Sequence, residues 1–240
     1  MGGDAKVGCC GFARGLKEYF SCFGLVEVQQ TFYKPPKLET AVRWRGQAPS
    51  DFEFTLKAWQ LITHPSSSPT YRKAGIKIPP EKGERYGFFK PTEEVREAWE
   101  KTREIALALG ARVIVFQCPP RFSESQENVQ NLKRFFQEVE RGDFYFVWEP
   151  RGSWREETVR ALCQELELIH CVDPFEGKMP LHGWPRYFRL HGGPGYRHKY
   201  TEEELSWLAD LAEGETYFLF NNLSMFDDAL RLKEILAKHG

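Results

Sequence analysis

Long hydrophobic runs are missing from this 240-residue chain, and none approaches the ~20 apolar residues that a membrane-spanning helix needs. No membrane partner is expected. The opening MGGDAKVGCCG lacks the basic and then apolar order of a secretory signal, so the expected location is the cytoplasm. Charge of one sign is also lacking: 33 Lys and Arg face 34 Asp and Glu, a formal net of -1. A protein gripping a long stretch of nucleic acid would carry a basic surplus or stripe, so that partner is possible but disfavoured by charge. The six cysteines (Cys9, Cys10, Cys22, Cys118, Cys163, Cys171) are too sparse for a disulfide scaffold, and no C-x-x-C spacing occurs. Buried, reduced thiols are expected. G-x-G-x-x-G, the P-loop and H-E-x-x-H are all absent, which removes the usual signatures of dinucleotide, nucleotide and zinc-protease sites.

What is present is core material: 41% hydrophobic and 15% aromatic residues, enough for a packed domain and incompatible with disorder. Short β-rich runs alternate with amphipathic stretches. The expected strands are 5–10, 25–31, 51–59, 111–118, 144–150, 168–173, 187–191 and 216–222. Clear helices are expected at 92–109, opened by Thr92 and closed by Gly110, at 125–140, at 201–212, opened by Thr201 with Glu204 three residues on, and at 224–238. Weaker helix signals fall at 14–22, 38–46 and 155–166, and a short Gly/Pro-rich link follows the sixth strand. Eight βα units in a chain of this length predict an α/β fold, a single (β/α)8 TIM barrel spanning 1–240. The alternative, an open doubly wound sheet, lacks its nucleotide signature. Residues 60–91 form a connection far longer than the usual ~2–6 residues, and its place after strand three reads as a lid or binding loop on the C-terminal face.

Successive strand residues alternate between barrel interior and helix layer, so counting in twos assigns each polar side chain a side. Glu27, Lys57, Gln117, Glu149, Arg151, Asp173, Arg189, His191 and Asn221 all count inward, mostly near C-terminal strand ends. Barrel interiors are normally layers of Val, Ile and Leu, so charges there cost desolvation unless they pair or hold a polar ligand. Three acids (Glu27, Glu149, Asp173) balance three bases (Lys57, Arg151, Arg189), so a self-neutralising network is one outcome.

The other outcome is chemistry. Glu149 or Asp173 would serve as base with Lys57 or His191 as acid, and Arg151 and Arg189 would hold an anion. Lys57 would instead form a Schiff base if its pKa were depressed, which the nearby acids oppose. His64, Glu149, Asp173 and His191 are the right types for a divalent metal, although the cofactor stays unknown and the spacing carries no metal motif. The run HGGPG at 191–195, flanked by Arg189, Arg197, His198 and Lys199, suggests anion binding on exposed backbone N–H groups. Trp59 and Trp154 lie beyond strands three and five, where they would stack a ring or pack the rim. His170, His182 and His239 carry no pattern and are read as structural or solvated.

These residues recur in an order that resembles the YecE-like family, domain of unknown function 72. The resemblance rests on VGCCGF at 7–12, VEVQQTFY at 26–33, FEFTLKAWQLITH at 52–64, VFQCPPRF at 115–122, EPRGSW at 149–154, VDP at 172–174, FRLHG at 188–192, YTEEEL at 200–205 and FNN at 220–222. It implies a TIM barrel and a recurrent polar set of Glu27, Lys57, His64, Gln117, Glu149, Arg151, Asp173, Arg189, His191, Gly192 and Asn222. It implies no reaction. Three positions depart from the pattern: Cys10 stands for Ser, Phe12 for Trp, and Gly152 where a His commonly follows the Arg. The missing His puts in doubt any mechanism that uses a side chain at that point. The functional expectation is an enzyme acting on a small polar, phosphorylated or sugar-like ligand by acid/base chemistry. The alternative is a nucleic-acid or nucleotide-binding barrel, with a metal-dependent phosphodiesterase as its form by fold analogy.

Overall fold

The computed structural model describes residues 4–239. Its strands are β1 (Ala5–Cys10), β2 (Leu25–Val28), β3 (Glu53–Lys57), β4 (Val113–Gln117), β5 (Tyr145–Glu149), β6 (Ile169–His170), β7 (Arg186–Leu190) and β8 (Thr216–Phe220). They form one parallel sheet in the order β6-β5-β4-β3-β2-β1-β8-β7, and a bridge from Val172 to Phe188 joins its two edges. The expected barrel is therefore present. Around it run α1 (Leu16–Cys22), α2 (Gln30–Tyr33), α3 (Leu38–Gln47), α4 (Gln60–Thr63), α5 (Pro69–Lys73), α6 (Glu93–Leu109), α7 (Gln126–Glu138), α8 (Glu156–Glu165), α9 (Glu202–Asp210) and α10 (Met225–His239).

Local chemistry explains several helix ends. Thr92 and Ser125 cap α6 and α7 with side-chain oxygens that accept from Val95 and Asn128 N–H, and Thr201 with Glu204 forms a complete capping box. Gly110 closes α6 in the left-handed region. Six of the eight strands are shorter than expected, the second and the sixth among them. The second ends at Val28, where the chain turns into α2, and the sixth has two residues before the isolated bridge at Val172. Pro174, two residues beyond that bridge, cannot donate to a ladder.

The larger core lies between sheet and helices, where Phe89, Trp99, Phe116, Phe135, Phe136 and Phe146 pack mostly edge-on or tilted. Each such buried side chain stabilises by roughly 1.5–3 kcal/mol. The smaller core fills the barrel itself and contains Leu25, Val113, Val115, Val147, Ile169, Tyr187, Tyr217 and Leu219. Below it, Lys6 pairs with Glu53 at 2.8 Å and Glu215 at 2.7 Å and closes the N-terminal end. Above it sit the charges.

Residues 60–91 are folded, not loose. Gly87, Phe88 and Phe89 donate backbone N–H groups to Leu61, Thr63 and Ile62, and the Tyr71 hydroxyl donates to the His64 carbonyl at 2.9 Å. Gly87 is required here: its φ is +77°, and a Cβ would stand 2.3 Å from the His64 carbonyl.

Candidate active site

At the C-terminal mouth, Arg189 from β7 is fully buried and bridges two acids. Its Nε and Nη2 donate to Glu27 from β2 at 2.9–3.2 Å, and its Nη1 donates to Glu149 from β5. Tyr187 adds a donor to Glu27 at 2.9 Å, and Gln29 from the turn after β2 adds another. Gln117 reaches Arg189 only at 3.5 Å. Burial alone would weaken every charge here, yet Glu149 and Glu27 hold the Arg189 guanidinium well above its ordinary pKa. Burial likewise pushes Glu149 up, but Arg189, Arg151 and His191 outweigh it and keep that carboxyl well below its usual range. Glu149 is a fixed anion.

His191 sits beside that anion. Its Nε2 is 3.0 Å from Glu149 Oε1, and its Nδ1 is 3.1 Å from the Asn221 amide nitrogen. An amide nitrogen only donates, so Nδ1 accepts and the imidazole proton lies on Nε2, pointing at Glu149. Arg151 donates its Nε to the same Glu149 oxygen at 2.9 Å and stays 26% exposed. Among the described residues its terminal Nη atoms have no partner.

Glu149, Arg151, Asp173 and His191 line one cavity of about 300 Å³, shared with Gly152, Trp154, His170 and residues 176–181 of the link after β6. That size is at the small end for metabolite sites. No residue of 60–91 lines it, so the expected lid does not cover this cavity. Asp173 is committed elsewhere: Oδ1 accepts from Phe175 N–H at 3.0 Å and Oδ2 from His191 N–H at 2.8 Å. Burial raises its pKa against those two donors. Its observed task is to fix the backbone that carries His191.

Lys57 ends β3 with 6% of its surface exposed and its Nζ 3.6 Å from the centre of the Phe32 ring. His64 packs edge-on against the same ring, and its Nδ1 meets Thr63 Oγ1 at 2.8 Å. Burial, then Lys57 and Arg151, push His64 down to about 3, so the ring is neutral. Gly192 and Asn222 belong to the scaffold behind the mouth. Asn222 donates to the His198 carbonyl and to buried Asp228, and a Cβ on Gly192 would stand 2.6 Å from Asn222.

In the HGGPG segment Gly192 N–H is bonded to Tyr200, and His198 beside it is paired with Glu204 at 2.7 Å. Trp154 packs the rim, donating to the Phe122 carbonyl at 2.7 Å. Five cysteines are buried, all six are free, and burial pushes the Cys10 thiol beside Arg189 well up. The metal expectation finds no support in the donor geometry. Among the described residues no three His, Cys, Asp or Glu side chains stand close enough to share an ion, and no step is derived through one.

The model of the family described as a protein of unknown function, DUF72, matches residues 9–240. The chain belongs to this family. A relative, the UPF0759 protein YunF of Bacillus subtilis, is 24% identical across 92% of this chain and 85% of its own length. DUF72 family proteins of Enterococcus faecalis and Thermotoga maritima superpose with TM-scores of 0.69 and 0.67 at 18% and 22% identity. Each alignment covers 97% of this chain, with 95% and 99% of the partner chain. A D-psicose 3-epimerase shares the fold with a TM-score of 0.59 at 10% identity, over 96% of this chain and 97% of its own. Against the DUF72 pattern, Gly152 has a local cause. A Cβ there would lie 2.1 Å from the Phe122 carbonyl oxygen, so this backbone leaves no room for the usual His.

Sequence reasoning missed the link after β6, which supplies Glu176, Lys178, Met179 and Leu181 to the cavity wall. Its signal was the Gly/Pro-rich run itself, which marked a loop without saying that the loop encloses anything.

Proposed function

We propose that this DUF72 chain is an enzyme that binds a small polar, anionic or sugar-like ligand in the cavity beside β5 and moves a proton with His191. The observation that carries this reading is the unpartnered end of Arg151 beside the Glu149–His191 pair. A guanidinium with free terminal nitrogens binds a carboxylate or phosphate in bidentate fashion. With the anion anchored, His191 is the group able to take a proton on Nδ1 and return it, while the fixed charge of Glu149 stabilises the imidazolium formed in between. Asn221 sets the tautomer and Asp173 the backbone, so both are positioning residues.

At the level of fold, the structural neighbours include a D-psicose 3-epimerase, a sugar enzyme, and a xylose isomerase domain containing protein of Salmonella typhimurium, which supports the sugar-like part of this reading by analogy. The test is a thermal-shift screen of sugars, sugar phosphates and 2-oxo acids on the wild type and on Arg151→Met. At a hundredfold excess over Kd a ligand stabilises by about 2.7 kcal/mol. Anionic compounds should raise Tm in the wild type and lose most of that shift in the variant. A full panel without any shift, or shifts that survive Arg151→Met, would sink the reading.

A further inference from the structure

The acid/base reading leaves Lys57 without a task, and its surroundings are unusual for a lysine. It stands at the C-terminal end of β3, facing the barrel axis, with an aromatic face beneath its Nζ. Among the described residues no carboxylate or carbonyl oxygen accepts a hydrogen bond from it, although two acids of the same network are nearby. Those acids are spent: Glu27 and Glu149 are bound to Arg189, and Glu149 also to Arg151 and His191. Buried lysines normally pair, because an ammonium without a partner in a poorly solvated site is costly. The groups facing it are Arg189 from β7, Glu149 and Arg151 at the end of β5, Glu27 from β2, and the neutral His64 from the segment after β3.

We propose that Lys57 is a nucleophilic amine that forms an imine with the carbonyl carbon of a small metabolite whose carboxylate or phosphate is held by Arg151. This deepens the acid/base reading above and rests on it for the anion site. The step balances without any further reagent. The neutral Nζ lone pair attacks the carbonyl carbon, and the C=O π pair moves to oxygen, which takes a proton. The nitrogen then loses a proton, and the hydroxyl leaves as water with a second proton as the C=N bond forms. His191 lies on the same network and is the group able to carry those protons.

The electrostatics agree with the geometry. Burial first, then Arg189 and Arg151, lower Lys57 to about 7, against the raising effect of Glu149 and Glu27. The opposition expected from those acids is outweighed because their charge is already neutralised by arginines. This lowering favours the free amine at neutral pH, where an ordinary surface lysine is almost wholly protonated.

The test is reductive trapping. The full chain is incubated at neutral pH with dihydroxyacetone phosphate, pyruvate or uncharged dihydroxyacetone, each with cyanoborohydride, and the adducts are located by peptide mass spectrometry. The proposal expects Lys57 to be labelled at least tenfold faster than the mean of the other lysines, with one of the two anionic probes ahead of dihydroxyacetone. It also expects loss of this preference for the anionic probe in Arg151→Met, and loss of the fast adduct in Lys57→Met. Labelling spread evenly over the lysines, or none at Lys57, would overturn it. If carbonyl-free phosphorylated polyols shift Tm in an Arg151-dependent way while Lys57 stays unlabelled, the imine fails and the acid/base reading stands. If neither occurs, both fail.

Discussion

A single methylene-linked amine sets the sharpest energetic question in the molecule. Lys57 titrates near 7 in the folded chain and near 10.5 when exposed, so the unfolded chain binds more protons between those values. Stability therefore rises with pH across that window, and below it the full cost of burying the ammonium falls on the folded state. Replacing Lys57 by Met should stabilise the protein most at about pH 6 and progressively less toward about pH 10, with a correspondingly flatter pH slope. Urea midpoints of the two proteins across that range check it, and a destabilised Lys57→Met variant would contradict it. Glu149 behaves oppositely. The carboxylate is held by Arg189, Arg151 and His191, so its removal strips three partners at once. A lost activity in Glu149→Gln would then report the network as much as any proton transfer. The period-2 count found Lys57, Glu149, Arg189 and His191 correctly as inward, yet it could not say which would pair, because pairing depends on strand neighbours far apart in sequence.

Among the elements, β5 and its exit do the most positioning. Pro150, Arg151 and Gly152 leave the strand along the cavity wall, and Gly152 passes against the backbone of the β4 exit, where Phe122 presents its carbonyl. Gly152→Ala should force that contact apart. The expected loss is about 1–3 kcal/mol, as for other overpacked sites, together with weaker binding in the cavity. Chemical denaturation and the ligand-induced Tm shift read the two effects separately, and an unchanged midpoint would show that the wall yields freely. Helix boundaries were legible within a residue or two because caps are local: Thr92, Ser125 and Thr201 each bond within three residues of themselves. Strand six was not. The run 168–173 keeps only two residues in the ladder, because its pairing is set through space by β5 on one side and by a single bridge from Val172 to Phe188 on the other.

Across the whole molecule, the acid limb of stability follows from buried histidines. His64 is pushed to about 3 by burial, Lys57 and Arg151, and His170 to about 4 by burial and Lys178. Both are neutral when folded and titrate near 6.5 when unfolded, so the unfolded chain gains protons first and stability falls as pH drops below about 6.5. Thermal midpoints recorded from about pH 7 to about pH 4 should decline, and the decline should be shallower in His64→Gln/His170→Gln. Glu149 adds to the loss only below its ordinary value of 4.5. A slope identical in wild type and double variant would locate acid sensitivity elsewhere.

By itself the sequence determined the barrel, the sides on which the charges lie and most helix ends, because alternation, helical period and capping are decided by residues a few positions apart. Only the tertiary structure decided what those charges do. Glu27, Glu149 and Arg189 come together from β2, β5 and β7, leaving Lys57 unpaired beside them and the end of Arg151 facing a cavity. The reason is physical. Burial and Coulomb attraction act through space, and closing a barrel makes neighbours of residues separated by 162 positions.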